Sequence, residues 1–222
     1  MSIVDLVRRI LTQATPDLSP LRESRAFRLV FAGSGISAIG SFVTYVAIPY
    51  QVYLLTDDPL LVGLLGVCEI APLLVMALVG GALADYTDRR RLVLWGEVAF
   101  AGLTLVLLLH AALGSPYLWL LYVVAALMAT VDGVQRPAMD AMVPRLVKPQ
   151  QIPAAVVLNT LRGNVAWLAG PALGGLLLQL VPLPMVFAVD LATFVVSIAC
   201  FAAVGAVPPP PAPERPSLRS VA

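Results

Sequence analysis

The 222 residues carry a formal net charge of +1, with 12% of positions charged and 59% hydrophobic. Mean hydropathy is +0.91. A water-soluble domain needs roughly 25% charged residues to cover its surface, so this composition excludes an ordinary soluble enzyme and fits a chain solvated by lipid. The single histidine, His110, and the two cysteines, Cys68 and Cys200, supply neither a metal-ligand cluster nor a disulfide framework, and no cofactor or nucleic-acid partner is expected.

Residues 1–26 form a cytoplasmic amino-terminal segment without a signal-type apolar run, so the first span is expected to stay in the mature protein. Within it Ile3, Val4, Val7, Ile10 and Leu11 share one helical face opposite Arg8 and Arg9. That pattern suits an interfacial helix, or equally a frayed tail. The bundle proper is expected over 27–206. Crossing a hydrocarbon core about 30 Å thick takes roughly 20 apolar helical residues. Six stretches qualify: about 27–54, 60–84, 92–112, 117–137, 157–180 and 184–206. Only helices satisfy their own backbone groups in such surroundings. Turn chemistry at 56–59, 114–116 and 181–184 joins them, and Pro171 is expected to kink the fifth. Residues 207–222 follow as a proline-rich cytoplasmic linker.

All 14 basic residues fall on one side: before the first span, between the second and third, around the loop joining the fourth and fifth, and after the sixth. The positive-inside rule then places both termini in the cytoplasm of a multi-pass protein, here assigned to a bacterial inner membrane. Trp95, Tyr117 and Trp119 stand near span ends, as interfacial aromatics do. His110 reads as a solvated boundary residue, and Trp167 either packs the core or touches substrate.

Four acids lie inside predicted spans: Glu69, Glu97, Asp132 and Asp190. A charge at that depth costs roughly 2.5–3.5 kcal/mol on insertion scales, so each is a functional candidate by default. Glu69 lies nearest the midplane with no basic neighbour in sequence, and is the first candidate for a proton carrier. Asp132 is the second; its spacing to Arg136 also permits a structural ion pair. Glu97 is placed to reach Arg136 or Arg162, completing a charge network. Asp190 reads as a packing residue. Small residues at Gly33, Ser37 and Ser41, and at Ala166, Gly170 and Gly174, mark faces where helices approach closely.

Between the second and third spans stands Gly80-Gly81-Ala82-Leu83-Ala84-Asp85-Tyr86-Thr87-Asp88-Arg89-Arg90-Arg91. This resembles the loop signature of the major facilitator superfamily through Gly81, Leu83, Ala84, Asp85, Arg89 and Arg90. Tyr86 replaces the usual arginine and Asp88 the usual glycine. Arg136-Pro137-Ala138, Met142–Val147, Leu158-Asn159 and Gly170–Gly175 are similar to the enterobactin-exporter branch of that superfamily. The resemblance implies an all-α membrane protein whose six transmembrane helices make a major-facilitator-type half bundle, a 3+3 inverted repeat. It also implies a gating role for Gly81, Asp85, Arg89 and Arg90. Ser37, Ser41 and Tyr45 of the first span become candidates to line a substrate cavity.

The expected function is therefore proton-coupled export of a small hydrophobic molecule, siderophore or drug, and not an enzymatic reaction. The partners are lipid, the small-molecule substrate and a second six-helix half. The membrane domain of an ATP-driven exporter would need longer cytoplasmic helices, and no catalytic constellation for an intramembrane enzyme assembles. Because the pattern resumes near Ser217, the chain is expected to be the amino-terminal half of a longer transporter. The alternatives are a half-size protein working as a homo- or hetero-dimer, and a fragment that transports nothing alone.

Overall fold

The computed structural model describes residues 17–86, 88–113 and 117–205, with backbone alone for 77–86. The expected amino-terminal helix over 1–13 and the proline-rich segment 207–222 lie outside the described residues, as do Thr87 and the joint 114–116. Among the described residues every regular element is helical: α1 (Ser19–Glu23), α2 (Arg25–Thr56), α3 (Pro59–Tyr86), α4 (Arg89–Ala112), α5 (Leu118–Met142), α6 (Ile152–Leu180) and α7 (Leu183–Ala202). Two short 3₁₀ turns, Val143–Leu146 and Pro149–Gln151, join α5 to α6.

Among the described residues five helices are long and apolar enough to cross a membrane: α2, α3, α4, α5 and α7. The sixth long helix, α6, has 29 residues. Asn159, Arg162, Asn164 and Gln179 interrupt its apolar surface, so it falls outside that class. Helix α5 continues past Pro137, which the sequence suggested as its end, to Met142. Likewise α6 begins at Ile152, ahead of the expected 157, because Pro153 occupies a first-turn position where its missing N–H costs nothing.

The joints have identifiable causes. Ser24 caps α2 by accepting the Phe27 N–H, and its hydroxyl donates to the Leu146 carbonyl at 2.5 Å, tying the start of the bundle to the turn after α5. Asp57 ends α2 in the left-handed region at φ 51°, which an aspartate tolerates better than most residues. Asp88, standing where the family signature has glycine, caps α4 by accepting from the Arg90 and Arg91 amides.

The helices pack in the order α6, α2, α7, α4, α5, α3, each against the next. Chain neighbours α2–α3, α3–α4 and α6–α7 touch little. Two apolar clusters fill the bundle. One, at the end carrying the basic residues, gathers Phe27, Val30, Val93, Met142, Leu158 and Phe201. The other, toward the opposite end, gathers Val43, Val52, Leu107, Leu121, Val186 and Phe187. Between them, buried Ser37, Thr44, Glu97, Thr104, Gln135, Asp190 and Ser197 make a polar layer.

Small residues set the spacing. A Cβ on Gly170 or Gly174 would strike Phe42 or Val43 of α2, so the Ala166–Gly170–Gly174 stripe of α6 is a helix contact. On α2 the stripe runs through Gly33, Ser37 and Gly40, and Ser41 is only half-buried. Gly40 is indispensable there: a Cβ would overlap the Thr193 hydroxyl and an Asp190 carboxyl oxygen.

Candidate transport site

Asp190 is fully buried. Its Oδ2 accepts from the Thr44 hydroxyl of α2 at 2.5 Å and from the Thr104 hydroxyl of α4 at 3.3 Å. Thr193, one turn along α7, lies 3.3 Å from Oδ1 and donates to the Asp190 carbonyl at 2.7 Å. Among the described residues no salt bridge reaches Asp190.

Glu97 is 4% exposed. Gln135 of α5 donates from Nε2 to Glu97 Oε1 at 3.0 Å and to the Val93 carbonyl at 3.1 Å. A Cβ on Gly96 would collide with Gln135, so that glycine lets the amide lie flat against α4. Glu97 Oε2, the Ser197 hydroxyl, and Arg162 Nε and Nη1 are buried without a hydrogen-bond partner. Arg162 lies across Gly35 of α2, and its positive charge acts on Glu97 with no ion pair formed.

A family profile for transmembrane secretion effectors, within the major facilitator superfamily, matches residues 15–215. The chain belongs to that family. It is 28% identical over 209 residues to enterobactin exporters EntS of Shigella boydii serotype 4 and of Escherichia coli O1:K1. An enterobactin exporter of Citrobacter koseri matches to the same degree. In each case 92% of this chain aligns with 49% of the relative, so the chain spans about half the length of the curated relatives it matches.

The signature residues of the chain can now be placed. Gly81 and Asp85 fall in the last turns of α3, where side chains are outside the described residues. Arg90 donates to the Phe201 and Ala202 carbonyls at 3.3 and 3.0 Å, capping the end of α7. Arg89 reaches the Ala141 carbonyl at 3.5 Å near the end of α5. Both guanidinium groups thus sit where helix dipoles and unpaired carbonyls attract cations.

Glu69 is half-buried on α3, a helix that contributes none of the polar-layer residues named above. Asp132 and Arg136 form an ion pair at 3.5 Å, with Arg136 exposed. Arg136 therefore pairs along its own helix, and Glu97 faces Arg162 instead. Ser37, Ser41 and Tyr45 follow one another at one-turn spacing along α2, passing from buried through half-buried to 58% exposed. His110 is not solvated: it is buried, its Nε2 accepts the Tyr117 N–H at 2.9 Å, and Gln51 lies 3.3 Å from Nδ1. Trp167 is 68% exposed and does not pack this core.

Sequence reasoning passed over Gln135, Thr104, Thr193 and Ser197. The recoverable signal is the spacing of Asp190, Thr193 and Ser197, which puts three polar groups on one face of an otherwise apolar helix.

Proposed function

We propose that the chain forms a six-span bundle of a proton-coupled exporter of small hydrophobic molecules, siderophores or drugs, in a bacterial inner membrane with both termini cytoplasmic. The observation that carries this is the match to enterobactin exporters along 92% of the chain. The one-sided distribution of basic residues supports the orientation.

A 3+3 repeat is supported by the packing. Exchanging α2, α3 and α4 for α5, α6 and α7 turns the α3–α5 contact into α6–α2 and the α4–α5 contact into α7–α2, and leaves α4–α7 unchanged. A second bundle, on the same chain or on another, completes the transporter, and the two tilt about a shared midplane site. Helices α2 and α5 line the cavity, offering Ser41 and Tyr45. Glu69, with Asp132 as the second candidate, carries the proton, and the Gly81–Arg90 signature biases the inward–outward equilibrium.

The test uses the native-length protein in cells deprived of their own siderophore exporter. Efflux of enterobactin and of a macrolide is followed with and without a protonophore. Export of at least one compound, collapsing with the protonophore, is the expected result. Glu69→Gln should abolish that efflux while the protein stays in the membrane. A membrane-inserted protein that exports neither compound overturns the reading. The intact mass of protein drawn from its own membrane then separates one chain with two bundles, near twice 23.5 kDa, from a bundle that pairs as a separate subunit at 23.5 kDa.

A further inference from the structure

We propose that Asp190 is a proton-binding site inside the bundle, with the proton held on Oδ1 and donated to the Thr193 hydroxyl. The binding site itself stands on local geometry; its use in transport rests on the proton-coupled reading above.

Hydrogen-bond accounting carries the case. Each threonine hydroxyl has one proton to give. Thr44 and Thr104 both direct theirs to Asp190 Oδ2. Thr193 has two acceptors in reach, the Asp190 carbonyl at 2.7 Å and Oδ1 at 3.3 Å, and the shorter contact takes the proton. Oδ1 then faces the lone pairs of Thr193 Oγ1. A proton on Oδ1 satisfies both oxygens, since the carboxyl donates to Thr193. When that proton leaves, the Thr193 hydroxyl turns from the backbone carbonyl to Oδ1 and supplies the donor the carboxylate needs. One rotor therefore serves both states.

The charged surroundings agree. Helix α2 presents Thr44 and Gly40 to Asp190, α4 presents Thr104, and α7 itself presents Thr193. The one titratable group acting on Asp190 among the described residues is another acid, Glu97. An anion in such a layer, with no cation to offset it, is far costlier than a neutral, hydrogen-bonded acid.

Ser197, four residues beyond Thr193 on the same face, and Glu97 share this buried layer, so the second carboxyl sets the charge that an ionised Asp190 would meet.

Infrared difference spectroscopy on the native-length protein in liposomes, recorded across a pH series in H₂O and D₂O, tests this directly. The expected result is a deuterium-sensitive carbonyl stretch of a buried neutral carboxyl that disappears in Asp190→Asn and shifts in Thr193→Val. If Asp190→Asn fails to reach the membrane, Thr193→Val, which keeps shape and removes the hydroxyl, decides alone. No such band in the wild type, or a band untouched by the accessible variant, overturns the proposal. In transport, Asp190→Asn should lose proton-driven efflux yet keep substrate exchange at equal pH. A wild type that shows the band but exports nothing overturns the exporter reading and leaves the proton site standing. Wild-type proton-driven efflux in Asp190→Asn overturns the site's part in coupling.

Discussion

Helices α2 and α3 are neighbours in sequence and opposites in setting. Across its apolar window α2 is 39% buried, while α3 is 6% buried. The interior helix holds the polar groups, Ser34, Ser37, Thr44 and Gln51. The flanking helix shows large apolar side chains outward: Leu60, Leu64, Val67, Ile70, Leu74 and Val75 are all exposed. In water this would be inside out. In lipid it is the stable order, because hydrocarbon solvates leucine and valine and leaves hydroxyls and carboxyls to find one another. The polar layer is therefore the specific part of the bundle, and the flank is the part free to meet lipid or another bundle.

The largest expected effect comes from widening a tight contact. Gly40→Leu forces a side chain into Asp190 and Thr193 and should cost about 1–3 kcal/mol or more, read as a lowered melting midpoint in detergent or bilayer. Gly66→Leu, on α3 with nothing within 4 Å, should change little. If Gly66→Leu proves as costly in the native-length protein, the contrast fails, and α3 is packed against something this bundle does not contain.

Next comes the polar layer. Gln135→Leu removes the donor to Glu97 Oε1 and to the Val93 carbonyl, with an expected loss of about 0.6 kcal/mol, the average for interhelical hydrogen bonds in membranes, and at most about 1.7. Thermal unfolding of the variant measures it. No change would mean the layer contributes little to holding α4 against α5.

Smaller is Arg90→Gln, which takes a cation from the last carbonyls of α7. A loss of about 0.3–1 kcal/mol is expected, shrinking as salt is added. An effect on transport far larger than on stability would favour a gating role for the same residue.

The smallest concerns the surface. The hydrogen bond and charge of Lys148, 2.9 Å away, hold the exposed Glu23 carboxyl below its ordinary value. A lowered folded value means the contribution is present above the ordinary carboxylate range and fades as pH falls through the folded value. Glu23→Gln should flatten that slight acid dependence in a melting series, leaving neutral-pH stability nearly unchanged.

Span positions were legible because length and hydropathy decide them. The predicted 27–54 became Arg25–Thr56, and 184–206 became Leu183–Ala202. Boundaries slipped at prolines: Pro137 reads as a stop in isolation, yet α5 runs on to Met142. Partners were less legible. Nothing in one sequence says that Thr44 and Thr104 converge on Asp190, since those contacts span 146 and 86 residues. His110 was misplaced for a related reason: its burial depends on Gln51 and Tyr117, two elements that only tertiary packing brings together.

The packing order also bears on how the protein is made. Helix α3 finds its main support in α5, and only weakly touches α2 or α4 on either side of it in the chain. During synthesis α3 therefore enters the bilayer before its partner exists. It must wait there as a lone apolar rod until α5 arrives, which its strongly apolar surface permits. Insertion and assembly are thereby separate events for this helix. A ribosome stalled after α4 would leave α3 in the membrane but unattached, a natural target for quality-control proteases.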